Sequence, residues 1–343
     1  MARRQGFIGL DLDGSVLRAV QFAGGARGRQ PLARAALERN DPTTPLSAHE
    51  LIEFKSVIDR SGFRGRQIVI SAEPTEMVRS MLELPPVSSG APVRQMALDD
   101  IARAHELNTA SVEIALWELP QCDRDGETAR ALAAVYTHES ADRTINLLEE
   151  AGFDVVAIDV SCWALARACQ PLIETDGATA LVDVGWTCAS LCVMWRGSII
   201  YERTVEEGGL LKLSSELAQA LGAASPIEAL RSVEKAETLE QIDPQARQIV
   251  REILDRMGQT VGEDVRAALK FAEHRYGWGG GSRLVVSGEL PGLAGRIGRG
   301  VGMDAEVVTS QTIFDGIDEH DRNAHMPTSF ARAVGLALWE VPR

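Results

Sequence analysis

Two aspartate-centred turns are the features of this sequence most suited to chemistry. Asp11-Leu12-Asp13-Gly14-Ser15 and Asp183-Val184-Gly185-Trp186-Thr187 each lie between two short apolar runs of strand length. A tight turn between antiparallel strands presents backbone N–H groups that can hold phosphate oxygens. An aspartate at the end of a strand can hold Mg²⁺ through water. Two such turns that face each other would form a phosphate-binding cleft.

A third turn, Ser287–Gly292, follows a later apolar strand and contains glycines that could accept a nucleotide base. Each turn by itself is also typical of an ordinary hairpin, and the third could begin a helix with proline at its first position. The candidate nucleotide contacts in the three turns are Asp11, Asp13, Gly14, Ser15, Asp183, Gly185, Thr187, Ser287, Gly288, Glu289 and Gly292, and the candidate Mg²⁺ ligands are Asp11 and Asp183.

The elements that must position these turns alternate between strand and helix. The opening strand–turn–strand pattern returns at 179–203, which predicts a duplicated architecture. Three prolines between 84 and 92 exclude a helix there and indicate a junction. The predicted strands are 7–10, 16–20, 67–70, 112–118, 131–136, 155–160, 179–182, 188–195, 199–203 and 283–286. The predicted helices are 47–60, 96–105, 141–150, 162–169, most of 210–276, and 329–339.

Composition excludes several classes of function. The 343 residues with 45% hydrophobic content can bury a core for two domains or one large bilobed domain. A net charge of −14 disfavours nucleic acid as a partner. The basic start is followed by acidic residues before any long apolar run, and no stretch of 18 apolar residues exists, so we expect a cytoplasmic protein without signal peptide or membrane insertion. The five cysteines are odd in number, which argues against a complete disulfide framework.

The order of these segments resembles the PilM family, actin-fold relatives of the cell-division protein FtsA. GLDLDGSVLRAVQF at 9–22 is similar to the first phosphate segment of the family, and LELP at 82–85 to the entry of an inserted subdomain. The other similar segments are the return helix and strand at 149–168, the second phosphate segment at 180–209, the adenosine turn with the helix and strand after it at 284–308, and the closing helix at 331–339.

The resemblance implies an α/β (α+β) chain with an actin-like, ribonuclease H-like bilobed fold, a duplicated core and a small inserted subdomain. It places the first lobe core at 1–92, 158–178 and 318–343, and the inserted subdomain at 93–157. The second lobe core falls at 179–209 and 282–317, with a helical subdomain at 210–281. It also implies ATP and Mg²⁺ as ligands, and adds Gly208 and Gly209 to the candidate nucleotide contacts.

The sequence departs from the family pattern at the nucleotide-contacting positions. Asp13 stands where the family has a glycine, and its carboxylate would repel a nearby phosphate. Trp186 replaces a small residue, and the adenosine turn is shortened to Gly288-Glu289. Leu230 and Val233 stand near positions where the family often has a glutamate and a lysine. We therefore expect a degenerate cleft that binds ATP weakly or not at all.

The resemblance implies an assembly or scaffold protein of a type IV pilus or related secretion machinery. Its partner would be a PilN-like inner-membrane protein, bound through that protein's N-terminal cytoplasmic tail in a groove between the lobes, near the inserted subdomain. This binding would recruit the chain to the inner face of the inner membrane. Self-association is compatible with this role. The first alternative is an active ATP-binding actin-like switch.

Two enzyme classes remain as further alternatives. Asp11 and Asp13 after an apolar strand also fit the first motif of haloacid-dehalogenase-like phosphatases, as nucleophile and acid/base. That mechanism needs a lysine and a late acidic pair, and Asp315, Asp318 and Asp321 do not end an apolar strand. A sugar or acid kinase of the same superfamily is a third interpretation, for which the chain is short.

Overall fold

The computed structural model describes residues 6–23, 31–121, 129–235, 243–278, 281–313 and 330–340. These residues form thirteen strands and ten α-helices. In chain order they are β1 (Ile8–Asp11), β2 (Val16–Phe22), β3 (Pro31–Glu38), α1 (Ala48–Arg60), β4 (Gln67–Ser71), β5 (Val78–Leu84), α2 (Val93–Ala104), β6 (Val112–Glu118), β7 (Ala129–Thr137), α3 (His138–Glu150), β8 (Asp154–Asp159), α4 (Ser161–Ala168), β9 (Ala178–Val184), β10 (Ala189–Trp195), β11 (Ser198–Val205), α5 (Leu210–Leu221), α6 (Pro226–Lys235), α7 (Pro244–Tyr276), β12 (Ser282–Gly288), α8 (Ala294–Val301), β13 (Ala305–Val307), α9 (Ser310–Ile313) and α10 (Ala331–Ala337).

Two five-stranded sheets share one topology. The first has the order β3-β2-β1-β4-β8 and the second the order β11-β10-β9-β12-β13. In each, the first three strands in sequence are antiparallel neighbours, and two later strands add in parallel beside the first. The repeated order confirms the duplicated core that the returning sequence pattern predicts.

Strand pairing brings the predicted turns to the same end of each sheet. β1 ends at Asp11, and β12 runs parallel to β9 with Ser287 opposite Asp183 and Gly288 opposite Val184. The close approach at Gly288 requires glycine, because a Cβ there would lie 2.7 Å from the carbonyl oxygen of Val184 and its φ is 144°. The first turn belongs to the first lobe, whereas the second and third belong to the second lobe.

A three-stranded sheet of order β5-β7-β6 lies between β4 and β8 in the chain and carries α2. This sheet includes β5, which lies before residue 93, where the inserted subdomain was predicted to begin. The division of the chain into lobes and subdomains stays a prediction. Arg79 on β5 contacts Glu202 on β11 at 2.7 Å and so links this sheet to the second lobe. Burial keeps the pKa of Glu202 above its ordinary value, although Arg79 and the Cys162 thiol both lower it.

Local sequence explains the ends of the longest helices. Ser47 and Glu50 form a reciprocal capping box at the start of α1. Asp243 accepts hydrogen bonds from the first turn of α7, which extends for 33 residues until Gly277 ends it in the left-handed conformation. None of the helices within the described ranges combines the length and apolar character needed to span a membrane.

Helix α10 packs against β1 and α4 at two glycines. A Cβ on Gly9 would lie 2.1 Å from the carbonyl oxygen of Ala333, and one on Gly335 would lie 1.7 Å from that of Ala164. Neither backbone can tolerate a side chain at that distance, so α10 is held close to the first sheet. This close packing fixes the position of Arg332, which α10 carries into the space between the lobes.

Candidate functional site

The carboxylates of the two aspartate turns meet at a single guanidinium. Arg332 Nη1 donates hydrogen bonds to Asp11 Oδ1 at 3.1 Å and to Asp13 Oδ2 at 2.8 Å. Its Nε and Nη2 donate to Asp183 Oδ2 at 3.1 and 2.5 Å. Asp11 and Asp13 belong to the first lobe and Asp183 to the second, so these four residues, here called the cleft cluster, join the lobes.

The cleft cluster is buried, since each of its four side chains is less than 10% exposed. Burial raises the pKa of Asp11 to about 6, and the attraction of Arg332 only partly offsets this. Burial alone would lower the pKa of Arg332, but the three aspartates outweigh it and keep that pKa above its usual range. The guanidinium is therefore a permanent positive charge between three acidic groups.

The first turn also contacts the third turn through Glu289. Ser15 Oγ donates to Glu289 Oε2 at 2.8 Å, and Arg18 Nη2 donates to Glu289 Oε1 at 2.8 Å. A Cβ on Gly14 would lie 2.7 Å from Glu289 Oε1, and the φ of Gly14 is 123°, so glycine is required there. The residues predicted to contact phosphate in the first turn thus face a carboxylate of the second lobe.

The second turn contacts the first lobe through its own side chains. Trp186 is buried, and its indole Nε1 donates to the carbonyl oxygen of Pro42 at 3.0 Å. Thr187 Oγ1 donates to Glu73 Oε1 at 3.1 Å. The Gly185 N–H donates to the carbonyl oxygen of Cys188 at 3.1 Å, within its own turn. These partners are protein groups in the positions where nucleotide contacts were predicted.

The remaining candidates have packing roles that the structure makes visible. Cβ atoms on Gly208 and Gly209 would lie 2.8 Å from Ala189 Cβ and 2.3 Å from the carbonyl oxygen of Thr187, so both glycines allow α5 to begin close to the second turn. Ser287 is buried beside Asp183 in the strand register, whereas Gly292 is exposed.

Leu230 and Val233 are buried in the hydrophobic core of the second lobe. They stabilise the attachment of α6 there. The polar residues of the same helix, Glu228, Arg231 and Ser232, line a cavity of about 590 Å³ together with Glu38 of the first lobe. Of the side chains that α6 presents to this cavity, only Ile227 is apolar.

The arrangement does not fit a bound Mg²⁺ with phosphates. The two predicted ligands, Asp11 and Asp183, are already bound by Arg332, whose guanidinium lies between them. Among the described residues, no group of three or more histidines, cysteines or acidic residues has the geometry to hold a metal ion. The acidic residues invoked for the phosphatase alternative, Asp315, Asp318 and Asp321, lie outside the described residues.

Arg332 is the functional residue that the sequence interpretation missed. Its helix, Ala331-Arg332-Ala333-Val334-Gly335, is otherwise apolar and buried. A single charge within such a run has to find a partner of opposite charge or lose its solvation at high cost. That isolated arginine was the available signal that α10 packs beside acidic groups.

Comparison with known proteins identifies related chains. Residues 107–341 match the family described as type IV pilus assembly protein PilM. The chain is similar to the solved PilM–PilN type IV pilus biogenesis complex, with 19% identity, a TM-score of 0.74, and coverage of 97% of this chain and 98% of that chain. No curated protein matches the sequence at a significant level.

Two further solved structures support the same fold. The ethanolamine utilization protein EutJ from Carboxydothermus hydrogenoformans has 17% identity and a TM-score of 0.56, and covers 99% of this chain and 91% of its own. MreB5 of Spiroplasma citri bound to ADP has 9% identity, a TM-score of 0.50, and coverage of 97% and 95%. At these identities the likeness defines the fold alone, and it confirms the predicted actin-like architecture.

Proposed function

Since this chain belongs to the PilM family of type IV pilus assembly proteins, we propose that it is a scaffold of a type IV pilus or related secretion machinery that binds the cytoplasmic tail of a PilN-like inner-membrane protein. Binding of that tail would recruit it from the cytoplasm to the inner face of the inner membrane. The observation that carries the proposal is the likeness over 97% of the chain to a protein solved as a PilM–PilN complex.

A groove between the first lobe and the inserted sheet is the proposed site for the tail. It has a volume of about 490 Å³ and lies between α1, the segment after β4, and α3. Its apolar wall includes Leu46, Leu51, Leu147 and Ile158. We call it the tail groove. An extended segment with alternating apolar side chains suits such a surface.

The polar rim of the tail groove is mostly acidic. Asp13, Glu73 and Glu76 line it, and Arg143 is the basic residue among its lining groups. Arg143 Nη2 already donates to Glu76 Oε1 at 2.6 Å. The groove therefore favours a tail that presents lysine, arginine or a free N-terminal amine beside apolar residues.

Peptide binding tests this function. A fluorescent peptide of the N-terminal tail of a PilN-like protein from the same organism should bind the wild-type protein in a polarisation titration. Leu147→Glu should weaken binding at least tenfold, because the tail's apolar side chains would then have to bury a carboxylate on the apolar wall. Phe271→Glu is the matched control, since Phe271 is 44% exposed on α7 in the second lobe.

Two outcomes would contradict the proposal. The first is absence of saturable binding by wild-type protein. The second is equal binding by the Leu147→Glu and Phe271→Glu variants, which would place the tail elsewhere.

We further propose that the cleft does its work without tightly bound Mg-ATP. The support is that Arg332, Glu289 and Trp186 already satisfy the groups that would contact the nucleotide. Isothermal titration of wild-type protein with Mg-ATP should give weak binding or none. Low-micromolar affinity that Asp183→Ala abolishes would favour the alternative, an active ATP-binding switch.

A further inference from the structure

We infer that Arg332 is the resident cation of the cleft: its guanidinium occupies a three-carboxylate site that would bind a divalent cation if the arginine were removed. The inference rests on the proposal that the cleft works without Mg-ATP, and deepens it by naming what takes the place of the metal. It does not depend on the tail groove or its partner.

The guanidinium fills the space between the three carboxylates, which are spaced around an arginine and would have to close on a metal ion after its removal. Three NH groups of one guanidinium reach carboxylates from both lobes, at distances between 2.5 and 3.1 Å. Asp11 ends β1 and Asp183 lies near the end of β9, at equivalent positions in the two duplicated sheets. Asp13 adds a third carboxylate where the family pattern has none, and its Oδ2 binds the same Nη1 atom as Asp11.

The backbone beneath Arg332 is held in place. Gly335, one turn further along α10, contacts the backbone of Ala164 so closely that no side chain would fit, and Gly9 of β1 contacts the backbone of Ala333 in the same way. Arg332 is therefore attached to a helix that cannot shift away from the first sheet without breaking these contacts. The cation is supplied by the fold itself.

Charge explains what its removal should do. Without Arg332, the cluster would hold three buried carboxylates and no bound cation. Nearby Arg18 lowers the pKa of Asp11, but its guanidinium pairs with Glu289. Buried like charges this close repel strongly, so they must take up protons or a cation. Carboxylate oxygens are the preferred ligands of Mg²⁺ and Mn²⁺, and two or three suffice because these ions keep several waters.

The test measures Mn²⁺ binding by electron paramagnetic resonance, with the metal alone, on wild-type, Arg332→Ala and Arg39→Ala proteins. Arg39 is the matched control, since it is equally buried and pairs with one carboxylate, Glu50, outside the cleft. We expect Arg332→Ala to bind Mn²⁺ at least tenfold more tightly than the other two. Addition of Asp183→Asn to Arg332→Ala should remove that gain.

Thermal unfolding supplies the second measurement. Arg332→Ala should lower the midpoint by more than about 5 °C, because it leaves buried carboxylates without their partner. Millimolar MnCl₂ should recover most of that loss, whereas KCl of equal ionic strength should not. Arg39→Ala should also be destabilised but should not respond to Mn²⁺. Arg332→Lys, which keeps the charge but has a single ammonium, should fold without gaining Mn²⁺ affinity.

Three results would overturn the inference: wild-type protein that binds Mn²⁺ as tightly as Arg332→Ala, no gain in Mn²⁺ affinity on removal of Arg332, or a gain that survives Asp183→Asn. If Arg332→Ala does not fold by itself, refolding with MnCl₂ but not with KCl supports the inference. Failure to refold with either salt contradicts the inference. If wild-type protein does not bind the tail peptide, the proposed function is contradicted, whereas the Mn²⁺ results are unaffected.

Discussion

Replacement of Trp186 tests whether the protein's own contacts close the cleft. The indole is 3% exposed and donates a hydrogen bond to the Pro42 carbonyl of the opposite lobe. Trp186→Phe keeps an aromatic ring but removes the N–H donor and part of the ring. Trp186→Ala removes the whole side chain. The two variants therefore separate the inter-lobe hydrogen bond from the apolar burial.

The expected magnitudes follow from those losses. Trp186→Ala should cost about 3–5 kcal/mol of unfolding free energy, the usual range for removing a buried tryptophan. Trp186→Phe should cost about 1–3 kcal/mol, because it forfeits one hydrogen bond, leaves a buried carbonyl without its donor and opens a small cavity. If the indole instead lay in open space between separated lobes, both costs would be well below these values.

Urea unfolding followed by far-ultraviolet circular dichroism measures both variants without depending on tryptophan fluorescence. Trp117→Phe is the control, because Trp117 is only partly buried on β6 and retains an aromatic contact with Trp163, whose ring centre lies 5.5 Å away. It should cost less than about 1 kcal/mol. Equal midpoints for Trp186→Phe and Trp117→Phe, with equal denaturant slopes, would refute the reasoning that Trp186 stabilises contact between the lobes.

Three further variants test separate parts of the structure. Gly335→Ala should strongly lower the thermal midpoint or yield insoluble protein, because its Cβ would lie 1.7 Å from the Ala164 carbonyl oxygen; a midpoint like that of wild type would contradict the close packing of α10. The raised pKa of Glu202 means that the folded state binds a proton more readily than the unfolded state. Wild-type protein should therefore gain stability relative to Glu202→Gln as the pH falls from 7 toward 4.5, the unshifted value, and a constant difference would contradict this. Glu289→Gln should cost several times more unfolding free energy than Glu83→Gln in urea titrations, since the arginine bound to Glu289 is 5% exposed whereas Glu83 is in a surface pair. Equal costs would count against a buried bridge.

The duplicated core could be predicted from the sequence because it depends on local patterns. Apolar runs of strand length before and after each aspartate turn gave β1, β2, β9, β10 and β11, and the sheet orders confirm that the two units match. Helical spacing of apolar residues and the Ala151-Gly152 stop gave helices in the same way. The prediction of an actin-like fold needed the order of these segments along the chain, which the solved relatives confirm.

Three strands were not predicted from the residues themselves, although the resemblance implied the last of them, and each depends on distant partners. β3 reads PLARAALE, a sequence rich in alanine that forms a strand because β2 pairs with it over its length. Residues 78–84 were assigned to the first lobe without a strand, but they form β5, which pairs with β7 about fifty residues later in the chain. β13 has three residues and is held beside β12. Local propensity carries little information about such pairings.

The sequence predicted which residues lie in the cleft, but not what occupies it. The turns do bring Asp11, Asp13 and Asp183 together, and Glu289 does reach the first turn. The repulsion predicted from Asp13 assumed a phosphate as its neighbour. The structure pairs Asp13 with Arg332, 319 residues away in the chain. A contact that joins three elements through one side chain leaves no local pattern, so the sequence suggested an altered cleft without revealing what fills it.

The cleft cluster and the tail groove share residues, and this sharing links the two proposals. Asp13 lines the groove and binds Arg332, while Glu73 lines the groove and accepts a hydrogen bond from Thr187 of the second lobe. One wall of the groove is therefore positioned by contacts inside the cleft. Here Arg332 belongs to α10, so the contacts that position this wall are made by the chain itself. If the proposed tail binds in the tail groove, a wall that is already in position lowers the conformational cost of binding.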